Sequence, residues 1–312
     1  MNRILGWSWI ILPIFLGCYR QESENPTKGK ITVIASESHA ALMQKEVNEF
    51  QRLYPEASIV LLPASTREAI VHLLNDSVRI IITDRALNAE EKEVAEKAGM
   101  KITETKIAED ALAVVVHNQN PVENLSLKSL KQIVSRELTD WRQVPEAREA
   151  QPKWSGPVEF AFTGRNSGAY ELLADKFLNL KEEIVPTFLA ASQREVADYV
   201  ANHPRALGIV SAACFYEVVK PSGVPDTTTV LRALAIERAD TTAAGVFAKL
   251  HQANIYLGAY PLHYSVYIFS TSPGYTLATG FSAFVASYNG QKIILDAGLV
   301  PATMPIRLVQ VK

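Results

Sequence analysis

From Lys30 onward the chain alternates between two spacings of apolar residues, and each change of spacing marks an element. Residues 30–35 are a short β-rich run. Met43, Val47, Phe50 and Tyr54 then fall on one helical face, with Ser36 or Ser38 placed to cap it. A second strand is predicted over 58–62, and Ser65-Thr66 opens a helix carrying Ile70, Leu73 and Leu74. Residues 78–83, apolar but for Arg79 and Thr83, read as a buried parallel strand. Asn88 with Glu91 reads as a capping box, and Gly99 stops that helix. The β-α-β-α order implies an α/β unit with a mostly parallel sheet.

A second unit of the same kind follows. Strands are predicted over 111–117, 158–162 and 206–211, and helices over 126–138 and 167–178. Ser192 with Glu195 forms a capping box before Val196, Tyr199 and Val200. Residues 142–157 and 219–229 are polar loops. Residues 264–270 return to strand, and 276–297 read as one long helix stopped by Gly298. No internal repeat is evident. Strand-rich segments at 109–117 and 262–271 bracket the middle unit. The simplest path leaves lobe I (30–116), builds lobe II (117–261) and returns to lobe I (262–312). This places a cleft between the lobes, with two crossover strands as hinge.

The first seventeen residues carry a different pattern. Arg3 precedes an apolar run over 4–16, too short to span a bilayer comfortably and proportioned like a signal peptide. It ends at Gly17-Cys18 and turns polar at once, so 1–17 reads as a signal peptide and 18–29 as a flexible tether. A small residue followed by cysteine at that point resembles a bacterial lipobox. The resemblance implies lipidation of Cys18, an anchor in a bacterial membrane and an extracytoplasmic location. Cys214 lies in an apolar stretch and is read as a core residue.

Composition narrows the classes. Of 312 residues 48% are hydrophobic and 21% charged, which excludes a disordered scaffold. With 31 Lys+Arg against 33 Asp+Glu there is no basic excess, so no nucleic-acid partner is expected. Two cysteines cannot build a disulfide framework or a four-cysteine zinc site. The six histidines show neither HExxH nor paired-ligand spacing, and no Gly-x-Ser-x-Gly elbow, P-loop or dinucleotide fingerprint is present. No metal, cofactor or catalytic residue is assigned. His39 is the one histidine to watch, because it follows the first putative loop.

What remains is an anion site. Three hydroxyl-bearing turns open helices: Ser36-Glu37-Ser38, Ser65-Thr66 and Arg165-Asn166-Ser167-Gly168. Helix starts offer unpaired backbone N–H groups and a partial positive charge. Gly168 permits close backbone approach, and Arg165 suits a bidentate contact to a tetrahedral oxyanion. Each turn also has a plainer reading: the serines as simple caps, Asp84 as a loop cap, and Arg85 as a surface partner of Glu90 or Glu91.

Residues 109–121, Leu125-Ser126-Leu127, Thr139-Asp140-Trp141, Arg165-Asn166-Ser167-Gly168-Ala169, Ala206-Leu207-Gly208-Ile209, Tyr260-Pro261-Leu262 and residues 290–302 together resemble the PstS-type phosphate-binding lipoproteins of ABC importers. The pairing of Asn75-Asp76-Ser77-Val78-Arg79 with residues 303–308 is similar to a Bacteroidetes-type subgroup. The resemblance covers about 31–312. It implies a two-lobed type II periplasmic binding protein fold and a monomer that captures inorganic phosphate and docks on a membrane permease. It also implies that Asp84 accepts the proton of hydrogen phosphate and rejects sulfate. The ligand-binding set is then Ser36, Ser38, Ser65, Thr66, Asp84, Arg85, Arg165, Ser167 and Gly168. One residue separates Arg165 from Ser167 where the family has three, and Ala169 stands for its Thr. Alternatives are a receptor for another oxyanion such as molybdate or sulfate, a surface sensor or adhesin on the same fold, and, further off, a hydrolase.

Overall fold

The computed structural model describes residues 24–220, 230–239 and 245–304. The expected signal segment and Cys18 lie outside them.

Strand β1 (Gly29–Ser36) leads through α1 (Ala40–Leu53) to β2 (Ala57–Ala64), and α2 (Thr66–Leu74) leads on to β3 (Ile80–Thr83). β1 pairs in parallel with both β2 and β3, giving the order β2-β1-β3. The chain therefore steps outward from β1 and then back across it. This leaves a crevice at the carboxyl ends of β1 and β3, where open parallel sheets hold their ligands. α3 (Ala89–Lys97) follows, with its Asn88–Glu91 capping box formed and Gly99 at φ +65° beyond it.

β4 (Thr103–His117) is much longer than the apolar run 111–117 suggested. Its first part is polar, and its charges find partners on the neighbouring strand. Ser265 donates to Glu109 at 2.7 Å, and His263 Nδ1 lies 3.4 Å from the same carboxylate.

The second unit contains β5 (Asn124–Leu125), α4 (Leu127–Val134), α5 (Pro145–Ala150), β6 (Glu159–Thr163) and α6 (Gly168–Glu171). α4 is shorter than the 126–138 expected, because Arg136 takes a left-handed φ of 63°. α6 passes directly into a π-helical turn, Leu172–Phe177, where a regular helix was expected. Then come β7 (Phe188–Ala190), α7 (Gln193–Asn202), β8 (Ala206–Ser211), α8 (Ala212–Val219), β9 (Leu231–Ala233), β10 (Ala235–Glu237), β11 (Phe247–Ala248) and α9 (Gln252–Tyr256). β6 pairs in parallel with β7 and β8, so the order β7-β6-β8 repeats the β2-β1-β3 plan that the residues themselves do not reveal.

The chain returns through β12 (His263–Ser270), α10 (Leu277–Val285), α11 (Tyr288–Asp296) and β13 (Val300–Pro301). The predicted single helix over 276–297 is thus two. Ser287 Oγ takes the Phe284 carbonyl at 2.6 Å, and Gln291 Nε2 takes that of Val285 at 2.9 Å, so both carbonyls leave the helical ladder. Gly290 then packs so tightly on Val285 that a Cβ would lie 2.6 Å from its Cα. The bend turns Phe281 and Phe284 onto Phe50 of α1.

β4 joins the two halves. Its residues up to Ala111 pair with β12, and those from Leu112 pair with β8. Alongside it runs the return connection, held by Leu112 N–H to Leu262 O at 2.9 Å and Tyr260 hydroxyl to Leu112 O at 3.0 Å. The fold is thus a two-lobed α/β architecture.

Two further expectations change, for the tether and for Cys214. From Glu24 on, the expected tether is folded onto α10, with Glu24 accepting from the Leu277 amide at 3.1 Å. Cys214 sits half-buried on α8 against the second lobe's core, and burial pushes its thiol up to about 12. Among the described residues no helix is long and apolar enough to cross a membrane.

Candidate oxyanion site between the lobes

The carboxyl ends of β1 and β3 deliver Ser36, the last residue of β1, and Asp84, the first after β3, and both are almost wholly buried. Neither serine of the first loop caps α1, contrary to expectation: the N-cap is His39, with no side-chain cap bond. The hydroxyls point across the crevice instead. Ser36 donates to Asp84 Oδ1, and Ser38 donates to Oδ2 at 3.1 Å.

His39 lies beneath them, fully buried. Its Nδ1 is 2.8 Å from Asp84 Oδ1, and its Nε2 is 2.9 Å from Asp110 Oδ2. Asp110 comes from β4, where strand alternation puts it on the same face as Leu112 and Val114. It also accepts from the Tyr264 hydroxyl at 3.0 Å and from the Ala111 amide at 2.7 Å. Burial alone would lower the His39 pKa, but the Asp84 charge and hydrogen bonds to both carboxylates raise it to about 10. Burial works against ionisation of Asp84 as well, yet His39, Ser36 and Ser38 together hold it below the usual carboxylate range.

The other hydroxyls divide. Ser65 caps α2 through a capping box with Glu68, while Thr66 Oγ1 is buried without a hydrogen-bond partner. Ser167 caps α6 and shares a 2.7 Å hydrogen bond with Thr163. Gly168 faces the first lobe: a Cβ on it would overlap Asp84 Oδ2 and lie 3.0 Å from Thr66 Oγ1. Asp84, Thr66 and Gly168 therefore converge on one point, with Ser36 and Ser38 behind the carboxylate.

Gln193 and Arg85 link the lobes beside this point. Gln193, at the start of α7, donates to Ser38 Oγ at 2.8 Å and accepts from the Ser211 amide at 2.7 Å. Arg85 is held by Glu91 of its own lobe through two 2.8 Å hydrogen bonds, and its Nε lies 2.8 Å from Glu171 of the other. Arg165 is not brought to this point. Its side chain is 73% exposed, 3.5 Å from Glu183. Glu37 is exposed. A cleft of about 900 Å³ opens between α1 and α11 on one side and α8 on the other, and Ser38 is the one residue it shares with this cluster.

His39, Asp110 and Gln193 were not in the predicted set. In the sequence only its position after the first loop marks His39, and the signal for Asp110 is a carboxylate on the buried face of an apolar strand. Nothing local marked Gln193.

A family model described as a PBP superfamily domain matches residues 20–289. The chain belongs to that superfamily. Among PBP relatives it is 24% identical over 287 residues to the phosphate-binding protein PstS of Pseudomonas aeruginosa, covering 88% of this chain and 83% of the relative. Its fold matches a phosphate-bound putative phosphate ABC transporter substrate-binding protein from Clostridium perfringens, with TM-score 0.69, 19% identity, and coverage of 88% of this chain and 100% of the other. It also matches an ABC-type phosphate transport receptor from Vibrio cholerae, with TM-score 0.63, 23% identity, and coverage of 88% and 100%.

Proposed function

We propose that this protein captures inorganic phosphate between its lobes on the extracytoplasmic side and hands it, chemically unchanged, to the permease of an ABC importer. One observation carries the reading: buried Asp84 and the unpartnered Thr66 Oγ1, both of lobe I, face the bare α-carbon of Gly168 across the interlobe crevice. Hydroxyls and backbone amides accept a small anion at little cost in formal charge. A carboxylate among them accepts the proton that phosphate carries at neutral pH and leaves sulfate, which has none, facing an unpaired negative group. The phosphate-binding relatives named above support the ligand and the transport role.

In this reading Ser36 and Ser38 orient Asp84, Thr66 and the Gly168 backbone meet the anion, and Gln193 and Arg85 hold the lobes together around it. Ser65 and Ser167 set the helix starts. Arg165 stands at the rim. The chain works as a monomer, and Cys18 carries the lipid that keeps it at the membrane. The hydrolase alternative is disfavoured by the same geometry. Ser36 Oγ lies 3.1 Å from His39 Nδ1, but both ring nitrogens already face carboxylates, so His39 has no free lone pair to take a serine proton.

Equilibrium dialysis with labelled phosphate, sulfate and molybdate tests the proposal. Phosphate is retained and recovered intact, while sulfate and molybdate are not retained. Failure to hold phosphate at millimolar concentration removes the transport reading, and retention of molybdate or sulfate instead transfers it to another oxyanion.

A further inference from the structure

The cluster beneath the site has a feature the anion chemistry alone does not require. Asp84 and Asp110 come from different strands and are both buried, with one imidazole between them. A carboxylate oxygen can only accept, so each ring nitrogen facing one must donate. A ring that donates from both nitrogens is an imidazolium. Every other side chain at the two acids also donates: Ser36 and Ser38 to Asp84, and Tyr264 to Asp110. The hydrogen-bond directions close with two carboxylates and one cation; the other assignment that leaves Asp84 free of its own proton moves the proton onto Asp110 and makes the ring neutral, and the charge of the ring tells the two apart.

We propose that His39 is a positioning residue for selectivity: as an imidazolium between Asp84 and Asp110, it keeps Asp84 an acceptor-only group, and thereby keeps proton-free tetrahedral anions out. The inference rests on the phosphate reading above and deepens it. Without the cation, two buried carboxylates a ring's width apart cannot both stay ionised, and one takes up a proton. Any proton on Asp84 turns it from acceptor to donor. A donor there would welcome sulfate as readily as phosphate. The raised His39 and lowered Asp84 agree with this charge assignment. The other titratable groups facing the cluster do not compete for the role. The Tyr264 phenol on β12 and the Cys214 thiol and Tyr216 phenol on α8 are all pushed upward by burial and stay neutral. Glu37, beside Asp84, faces solvent and is itself raised, by partial burial and then by Glu68 and Asp84.

Two measurements test this. Nitrogen-15 NMR of the histidine rings in the wild-type protein should show, at pH 8.5, one of the six histidines protonated on both nitrogens, absent from His39→Gln. If every histidine is neutral at that pH, the proposal is overturned, whether or not His39→Gln folds. Competition of sulfate against labelled phosphate between pH 8 and pH 6 gives the functional readout. In His39→Gln the phosphate-over-sulfate ratio should fall at least tenfold, most at pH 6, while the wild-type ratio stays nearly level. A variant that binds both anions more weakly at an unchanged ratio shows a merely structural His39 and overturns the proposal. Asp110→Asn should keep the selectivity and lower the pH at which the His39 ring titrates; an unmoved titration overturns the bracketed geometry. If wild-type protein binds no phosphate, the transport reading falls, while the NMR result still decides the charge of His39.

Discussion

Gly168 stands so close to Asp84 across the lobes that the smallest side chain at 168 would occupy the place of the carboxylate oxygen Oδ2. The contact is between rigid partners, a helix start and a carboxylate fixed by three donors. Gly168→Ala is therefore expected to hold the lobes apart. Phosphate affinity should fall roughly 10- to 100-fold, the range that overpacking a tight contact produces, with thermal stability nearly unchanged. Titration calorimetry beside a melting curve separates the two effects, and unaltered affinity would place the anion elsewhere.

The two arginines of the predicted set should behave differently. Arg165 pairs loosely with Glu183 in solvent, an arrangement worth at most about 1 kcal/mol. Arg165→Ala is expected to change phosphate affinity by no more than about threefold, within that limit. Arg85→Ala removes a half-buried link between Glu91 and Glu171, and should speed phosphate release roughly tenfold with little effect on capture, in keeping with the larger share of dissociation in such changes. Stopped-flow exchange of labelled phosphate reads both. Equal effects would deny the bridge between lobes.

Two buried groups give the fold a preference for mildly acid solution. Glu46 on α1 is wholly buried, its carboxylate oxygens lack partners, and burial and then Glu49 raise it to about 9. The folded chain keeps that proton where the unfolded chain has lost it, so stability falls as pH climbs from about 4.5 to about 9. His39 acts in the same direction: its contribution is complete below about 6.5 and is lost as pH rises through about 10. Asp84 acts on the acid side, with stability present above its ordinary range and lost as pH drops through its lowered value. Urea unfolding from pH 3 to pH 9 should give a maximum near pH 5–6. Glu46→Leu should add about 1–3 kcal/mol at pH 8 and clearly less at pH 5. A gain independent of pH would mean that Glu46 is not the titrating group.

Cys18→Ala should move the protein from the membrane fraction to the soluble extracytoplasmic fraction without altering phosphate binding. Fractionation of cells followed by immunoblotting checks it, and continued membrane association counts against a lipid on Cys18.

The parts of the fold that depend on neighbours along the chain were legible in the sequence. The capping box at Asn88–Glu91 and the cap at Ser192 are formed, because a cap is a bargain between residues three apart. The parts that depend on distant partners were not. The polar start of β4 reads as loop until Ser265 and His263 supply partners for Glu109. The break between α10 and α11 is decided by carbonyls taken out of the ladder and by the aromatic contact with Phe50, none of which shows in the 3.6-residue period. At the site, Ser36 and Ser38 look like caps because a serine before a helix nearly always is one. Only the return of β3 beside β1 brings Asp84 within reach of their hydroxyls. The repeated strand order of the two lobes is invisible in the residues for the same reason: topology is shared, side chains are not.

β4 changes neighbours between Ala111 and Leu112, and Asp110 is bonded to the Ala111 amide. A swing of one lobe against the other would use that peptide as its fulcrum. The acids and the imidazolium ride on the fixed side, while Gly168 and Gln193 ride on the arm. Telling anions apart and gripping them would then be mechanically independent, so damage to the arm should slow or loosen the grip while the protein goes on choosing the same ion.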